Sequence, residues 1–166
     1  MLMTIDGKDV TVALVGIGLT GACLGLSHGA VPMAMGALAL PLLALGVPLL
    51  TLPALYIGAA YAQASPPPAA LLSGARSGAR ACGLFLLGAL PSLLFLVATS
   101  TPPAMDIRLA SIAALAGIAF GMQSMLSSVR GSHESTPFAL LFAAWGVVTI
   151  VIGSILLVRG LRLVGE

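Results

Sequence analysis

The sequence predicts an all-α fold, a polytopic transmembrane helical bundle of five spans, and three observations predict it. Hydrophobic residues make up 59% of the 166-residue chain and charged residues only 7%, against roughly 25% charged in soluble domains. Five apolar runs follow one another, near residues 10–27, 38–62, 82–100, 107–126 and 138–158, each at or close to the ~20 residues a helix needs to cross hydrocarbon. The acidic and basic residues all stand in loops, at termini or at the ends of those runs. The expected organisation is therefore a polar lead (1–9), a single transmembrane domain (10–158) and a short tail (159–166), with no room for a separate soluble domain.

The first run, Val10 to Ser27, carries no charge and follows a lead with two acids, Asp6 and Asp9, against Lys8. A secretory signal needs a basic start, so the run reads as a retained span. Gly21, Gly25 and Gly29 recur every fourth residue and would lay small residues along one helix face, letting another backbone approach. If this run were re-entrant, the bundle would have four spans plus that segment. His28 to Ala37 should turn at the interface, with Gly29 and Pro32 breaking the helix.

The second run is the unusual one. Leu38 to Ala64 holds no charge, yet contains Pro41, Pro48 and Pro53. Each proline within a helix removes a backbone donor and crowds the preceding turn, and lipid offers no water to the carbonyls so freed. A bent or interrupted helix is expected, buried by at least two others, with neighbouring helices, hydroxyls such as that of Thr51 or bound water serving the freed carbonyls. Pro41 would escape the cost by standing in the first turn.

Pro66 to Pro68 should stop that helix. Arg76 and Arg80, four apart, would then share one face of a short surface helix and meet lipid head groups. The third run begins at Cys82 and is kinked at Pro91. Thr101 to Asp106 forms a tight link. In the fourth run Ala113, Gly117 and Gly121 repeat the four-residue small spacing, and Gln123 and Ser124 are polar near its end. Ser127 to Pro137 reads as the most hydrophilic loop. In the last run and tail Gly146, Gly153 and Gly160 fall seven apart, a smooth seam for a neighbour.

Several function classes lose their ground. Seven basic against five acidic residues, a net charge of +2, supply no basic stripe for nucleic acid. Cys23 and Cys82 lie in different runs without metal-ligand spacing and read as small packing residues; no metal or cofactor is expected. No ionisable residue is placed at mid-membrane, where coupled transporters and pumps keep one. The chain has no H-E-x-x-H, no G-x-S-x-G and no phosphate loop, and His133 with Glu134 in the hydrophilic loop is the one conceivable cluster. An enzyme is not expected. Lys8, Arg76, Arg80 and Arg130 fall on one side of a five-span protein and Arg108, Arg159 and Arg162 on the other, so only the weight of the first spans favours a cytoplasmic N-terminus.

Residues 21–56 resemble bacterial Yip1-like multi-pass membrane proteins, some of which are described as actin-binding WH2 proteins. The resemblance rests on a glycine-rich first span ending in Gly25-Leu26-Ser27-His28-Gly29, on Pro41-Leu42-Leu43, and on Leu52-Pro53-Ala54-Leu55-Tyr56. Ala39 stands where many such proteins carry lysine, and no L-K-K-T-like stretch supports actin binding. The resemblance implies a five-helix bundle without catalytic residues, in the cytoplasmic membrane of a bacterium. Its eukaryotic members bind small GTPases in membrane trafficking, a role that does not transfer to a bacterial-looking chain.

Two functions of different class follow as expectations. One is a non-enzymatic scaffold, membrane organiser or accessory subunit, whose partners are the bilayer and other membrane subunits or further copies of itself. The other is a passive channel or transporter subunit, using the proline-broken second span. A continuous polar path near Thr51, Gln123 and Ser124 would distinguish them.

Overall fold

Five helices in sequence make up the computed structural model, which describes residues 7–26, 29–99, 104–130 and 136–165. They are α1 (Gly7–Gly25), α2 (Ala30–Tyr61), α3 (Pro68–Thr99), α4 (Ala104–Arg130) and α5 (Thr136–Gly165), and no strand occurs among the described residues. Four of them have the length and apolarity of a membrane span: α2, α3, α4 from Ile112 and α5 as far as Leu156. The remaining expected span lies in α1, which at 19 residues is the shortest helix.

The helices outrun the apolar runs that announced them. α2 starts at Ala30 instead of Leu38, because Val31 to Ala37 continues the apolar sequence and Pro32 stands in the first turn, where a missing N–H costs nothing. Gly29 does mark the turn, with a positive φ of 113° outside the helix. Pro32 therefore starts a helix that it was expected to break, and Pro41, eleven residues in, has no first-turn exemption. The surface helix expected around Arg76 and Arg80 is not separate either; it is the beginning of α3, which runs unbroken from Pro68 through Cys82 and Pro91 to Thr99. Pro68 fits the first helical position, where its fixed φ is already helical. Ala104 to Asp106, expected in a link, belong to α4, and α5 continues into the expected tail.

Successive helices run antiparallel. α1 sits between α2 and α3, α3 packs along α4, and α5 leans mainly on α2 with a slight contact to α4. Two apolar clusters form the core. Ile17, Leu40, Cys82, Leu86, Leu93 and Ala114 join α1 to α2, α3 and α4. Leu55, Ala59, Leu71, Met125, Val129, Phe138, Phe142 and Trp145 gather at the other end, where α5 closes on α2, α3 and α4. Outward faces are broadly apolar, with Val31, Leu38, Leu42, Leu50 and Leu140 all exposed, as a lipid-facing surface requires.

Candidate functional site

α1 fills the space between α2 and α3 along only part of their length. Its Asp9 lies beside Arg80, the two joined by an ion pair of 3.1 Å. Arg80 is twelve residues into α3, about 18 Å along a helix. Beyond that level α2 and α3 scarcely touch each other, and the space between them is an apolar cleft of about 270 Å³. Its walls include Pro48, Leu49 and Leu52 of α2, Leu72, Ala75 and Ala79 of α3, Met122 and Met125 of α4 and Trp145 of α5; Asp9 and Arg76 border it. Arg76 is half-buried and has no acidic partner among the described residues.

Thr20, Thr51, Ser77, Ser124, Trp145 and Thr149 bond locally or pair across one interface at a time. Between α2 and α5, the Thr51 and Thr149 hydroxyls lie 3.3 Å apart and Trp145 Nε1 donates to the Thr51 carbonyl at 3.0 Å. Between α3 and α4, the Ser77 and Ser124 hydroxyls are 3.0 Å apart. Thr20 donates back to the Gly16 carbonyl at 2.9 Å. Gln123 is exposed on α4. Thr51, Gln123 and Ser124 are thus not brought together: two occupy different helix interfaces and the third faces outward.

α2 remains helical through Pro41, Pro48 and Pro53, so of the bend or interruption expected there, the interruption does not occur. Nor does Thr51 serve the carbonyls that the prolines free. Its hydroxyl donates to Val47 at 2.9 Å and Pro48 at 3.3 Å, whereas the prolines leave Ala37, Ala44 and Leu49 without their helical donors. Ala37 is covered by α1 instead: a Cβ added at Gly18 would lie 3.3 Å from its carbonyl oxygen. Ala44 and Leu49 both line the cleft. Pro53 is exposed, and α2 is flanked by α1 along its first half and α5 along its second, leaving one face open.

The small-residue positions divide sharply. Gly21 meets Gly36 backbone to backbone, and Gly25 meets Pro32 and Met33 at the tip of the α1–α2 hairpin. A Cβ at Gly121 would stand 2.7 Å from the Gly78 carbonyl oxygen, and one at Gly117 2.9 Å from the Leu86 side chain. A Cβ at Gly29 or Gly153 would meet nothing within 4 Å, and one at Gly146 would face the end of the Met122 side chain, its methyl at 3.0 Å and its sulfur at 3.6 Å. Gly29 lies outside α1 and adds nothing to the face of Gly21 and Gly25. Gly146 and Gly153 form no backbone seam with the described residues; the surroundings of Gly160 lie outside the described residues, as do His133 and Glu134. Sequence reasoning missed Gly16, which packs on Gly83, and Gly36, Gly74 and Gly78. Gly74 and Gly78 carried the signal, a four-residue spacing, but stood beside arginines in a segment read as surface.

Among the described residues no three His, Cys, Asp or Glu side chains gather as a metal site would need. Comparison with family models, curated proteins and solved structures finds no match.

Proposed function

We propose that this multi-pass protein is a non-enzymatic scaffold, membrane organiser or accessory subunit of a membrane complex, in the cytoplasmic membrane of a bacterium and akin to Yip1-like proteins. The observation that carries the reading is the disposition of interior polar groups. Thr20 bonds to its own helix, Thr51 pairs with Thr149, and Ser77 pairs with Ser124, so the interior offers separate closed pairs where conduction would need a connected line of partners. The channel reading loses its support with the separation of Thr51, Gln123 and Ser124. What remains is a bundle with long apolar faces on α2 and α5 that other helices can join by close packing.

The test has two arms. Protein reconstituted into vesicles should pass ions and small solutes no faster than protein-free vesicles; flux above that background abolished by Thr51→Val would overturn the reading. Purification in mild detergent should yield a stoichiometric membrane partner or a defined oligomer, identified by mass spectrometry. Leu42→Trp or Leu50→Trp on the open face of α2 should release that partner without lowering the melting temperature, and a strictly monomeric, partner-free protein in nanodiscs would count against it.

A further inference from the structure

We propose that the cleft beyond the start of α1 is a binding site for one anionic phospholipid, with an acyl chain against Leu49, Leu52 and Trp145 and the phosphate at Arg76. Three features of the cleft select this occupant. Its walls are apolar, and its volume of about 270 Å³ lies just below the roughly 300–1,000 Å³ typical of small-molecule sites, suited to a hydrocarbon chain. It opens between two spanning helices that hardly touch, so the molecules that reach it are those of the bilayer. Among the described residues its mouth carries a net positive charge: Asp9 is engaged by Arg80, and Arg76 is left to meet an anion.

Depth agrees with charge. α3 is 32 residues long, about 48 Å, while the hydrocarbon core is ~30 Å and the bilayer with head groups ~40–45 Å. Centred on the hydrocarbon, α3 projects about 9 Å beyond it at each end, so Arg76, about 12 Å from Pro68, stands at the hydrocarbon edge, where its long side chain extends to the head groups at the end that also carries Tyr61, Arg130 and the start of α5. Arginine suits the task, because its planar fork donates two parallel hydrogen bonds to a phosphate. The proposal needs only that the chain spans a bilayer and stands apart from the scaffold reading.

Trp145 is the single tryptophan of the chain and lines the cleft, so it reports occupancy directly. The protein is reconstituted into vesicles of ordinary phosphatidylcholine containing a small fraction of chain-brominated lipid, either phosphatidylglycerol or phosphatidylcholine, and Trp145 fluorescence is measured. Brominated phosphatidylglycerol should reach half-maximal quenching at a several-fold lower mole fraction than brominated phosphatidylcholine. Arg76→Gln should make the two lipids equivalent, while Arg130→Gln, at the same end of the bundle but outside the cleft lining, should leave the preference intact. Ala79→Phe, which fills the cleft, should weaken quenching by both lipids with the helical circular dichroism unchanged. Equal quenching by both lipids in the parent protein, or a preference that survives Arg76→Gln, overturns the proposal. So does displacement by inorganic phosphate, which marks a free-anion site, or quenching that arises only after residues 2–5 are removed, which marks the chain's own leader as occupant.

Discussion

The α1 end and the α5 end of this bundle are held together by different means. Around α1 the helices meet at their backbones: Gly16 on Gly83, Gly21 on Gly36, and a little further along Gly78 on Gly121. Around α5 they meet through large side chains, with Phe138, Phe142 and Trp145 in a row whose ring centroids lie 6.1 and 5.3 Å apart. Lipid is as apolar as the helices, so burial by itself gives little drive to associate there, and close packing with interhelical hydrogen bonds supplies it. Glycine allows close packing by removing the side chain; the aromatic row achieves it by filling the gap that wider-spaced helices leave. The backbone seams have no slack, whereas the side-chain seat can relax, and the cleft lies where one mode gives way to the other.

Substitution at a backbone seam should do the greatest damage. Gly21→Val puts its Cβ into the Gly36 carbonyl, and neither backbone can move without separating α1 from α2. A loss of about 3 kcal/mol or more is expected, read as a collapse of the folded fraction in denaturation by sodium dodecyl sulfate. Gly121→Val should behave alike, whereas Gly117→Val, whose nearest neighbour is the Leu86 side chain, should be milder. Equal tolerance at Gly21 and Gly117 would remove the distinction between rigid and yielding contacts.

Phe138→Ala comes next. Phe138 is fully buried against the α5 cluster, and emptying such a site costs ~3–5 kcal/mol in a water-soluble core. Because lipid lowers the transfer part of that cost, about 2 kcal/mol is expected by the same denaturation, with α1 to α4 still assembled. If proteolysis shows α1 detaching first, the two ends are not separable in this way.

The Thr51 and Trp145 contacts should be worth less. A double-mutant cycle with Thr51→Val and Trp145→Phe removes the hydroxyl pair and the indole hydrogen bond of the α2–α5 interface. Bonds of this kind average about 0.6 kcal/mol and reach ~1.7 in membranes, so each single change should cost about 1 kcal/mol. The Trp145 bond ends on the Thr51 carbonyl, which Thr51→Val retains, so coupling between them should be small. Strong coupling would mean that the two bonds act as one unit.

The smallest effect is expected at Gly153, where a Cβ meets nothing. Alanine is favoured over glycine in a helix by roughly 0.5–1 kcal/mol in water, so Gly153→Ala should leave stability unchanged or raise it by about 0.5 kcal/mol. A marked loss would show that α5 has a close neighbour beyond this chain.

Helix content, the apolar outward faces and the membrane-spanning class were determined by the sequence alone, because they follow from local quantities: length of apolar run, scarcity of charge and the backbone's need to satisfy itself in lipid. Only the tertiary structure decided where those helices end and what their small and polar residues touch. Pro32 and Pro68 look like breaks in sequence and serve as helix starts, since the same fixed φ suits both. Gly21 and Gly153 are indistinguishable as letters in an apolar run, yet one is pressed against a backbone and the other faces open space. Arg76 and Arg80, which looked like a matched pair for head groups, were divided by the position of Asp9 on another helix, and the cleft beside them lies between α2 and α3 beyond the described start of α1. A partner across an interface depends on the relative position of two helices, and no spacing within one run of sequence records it.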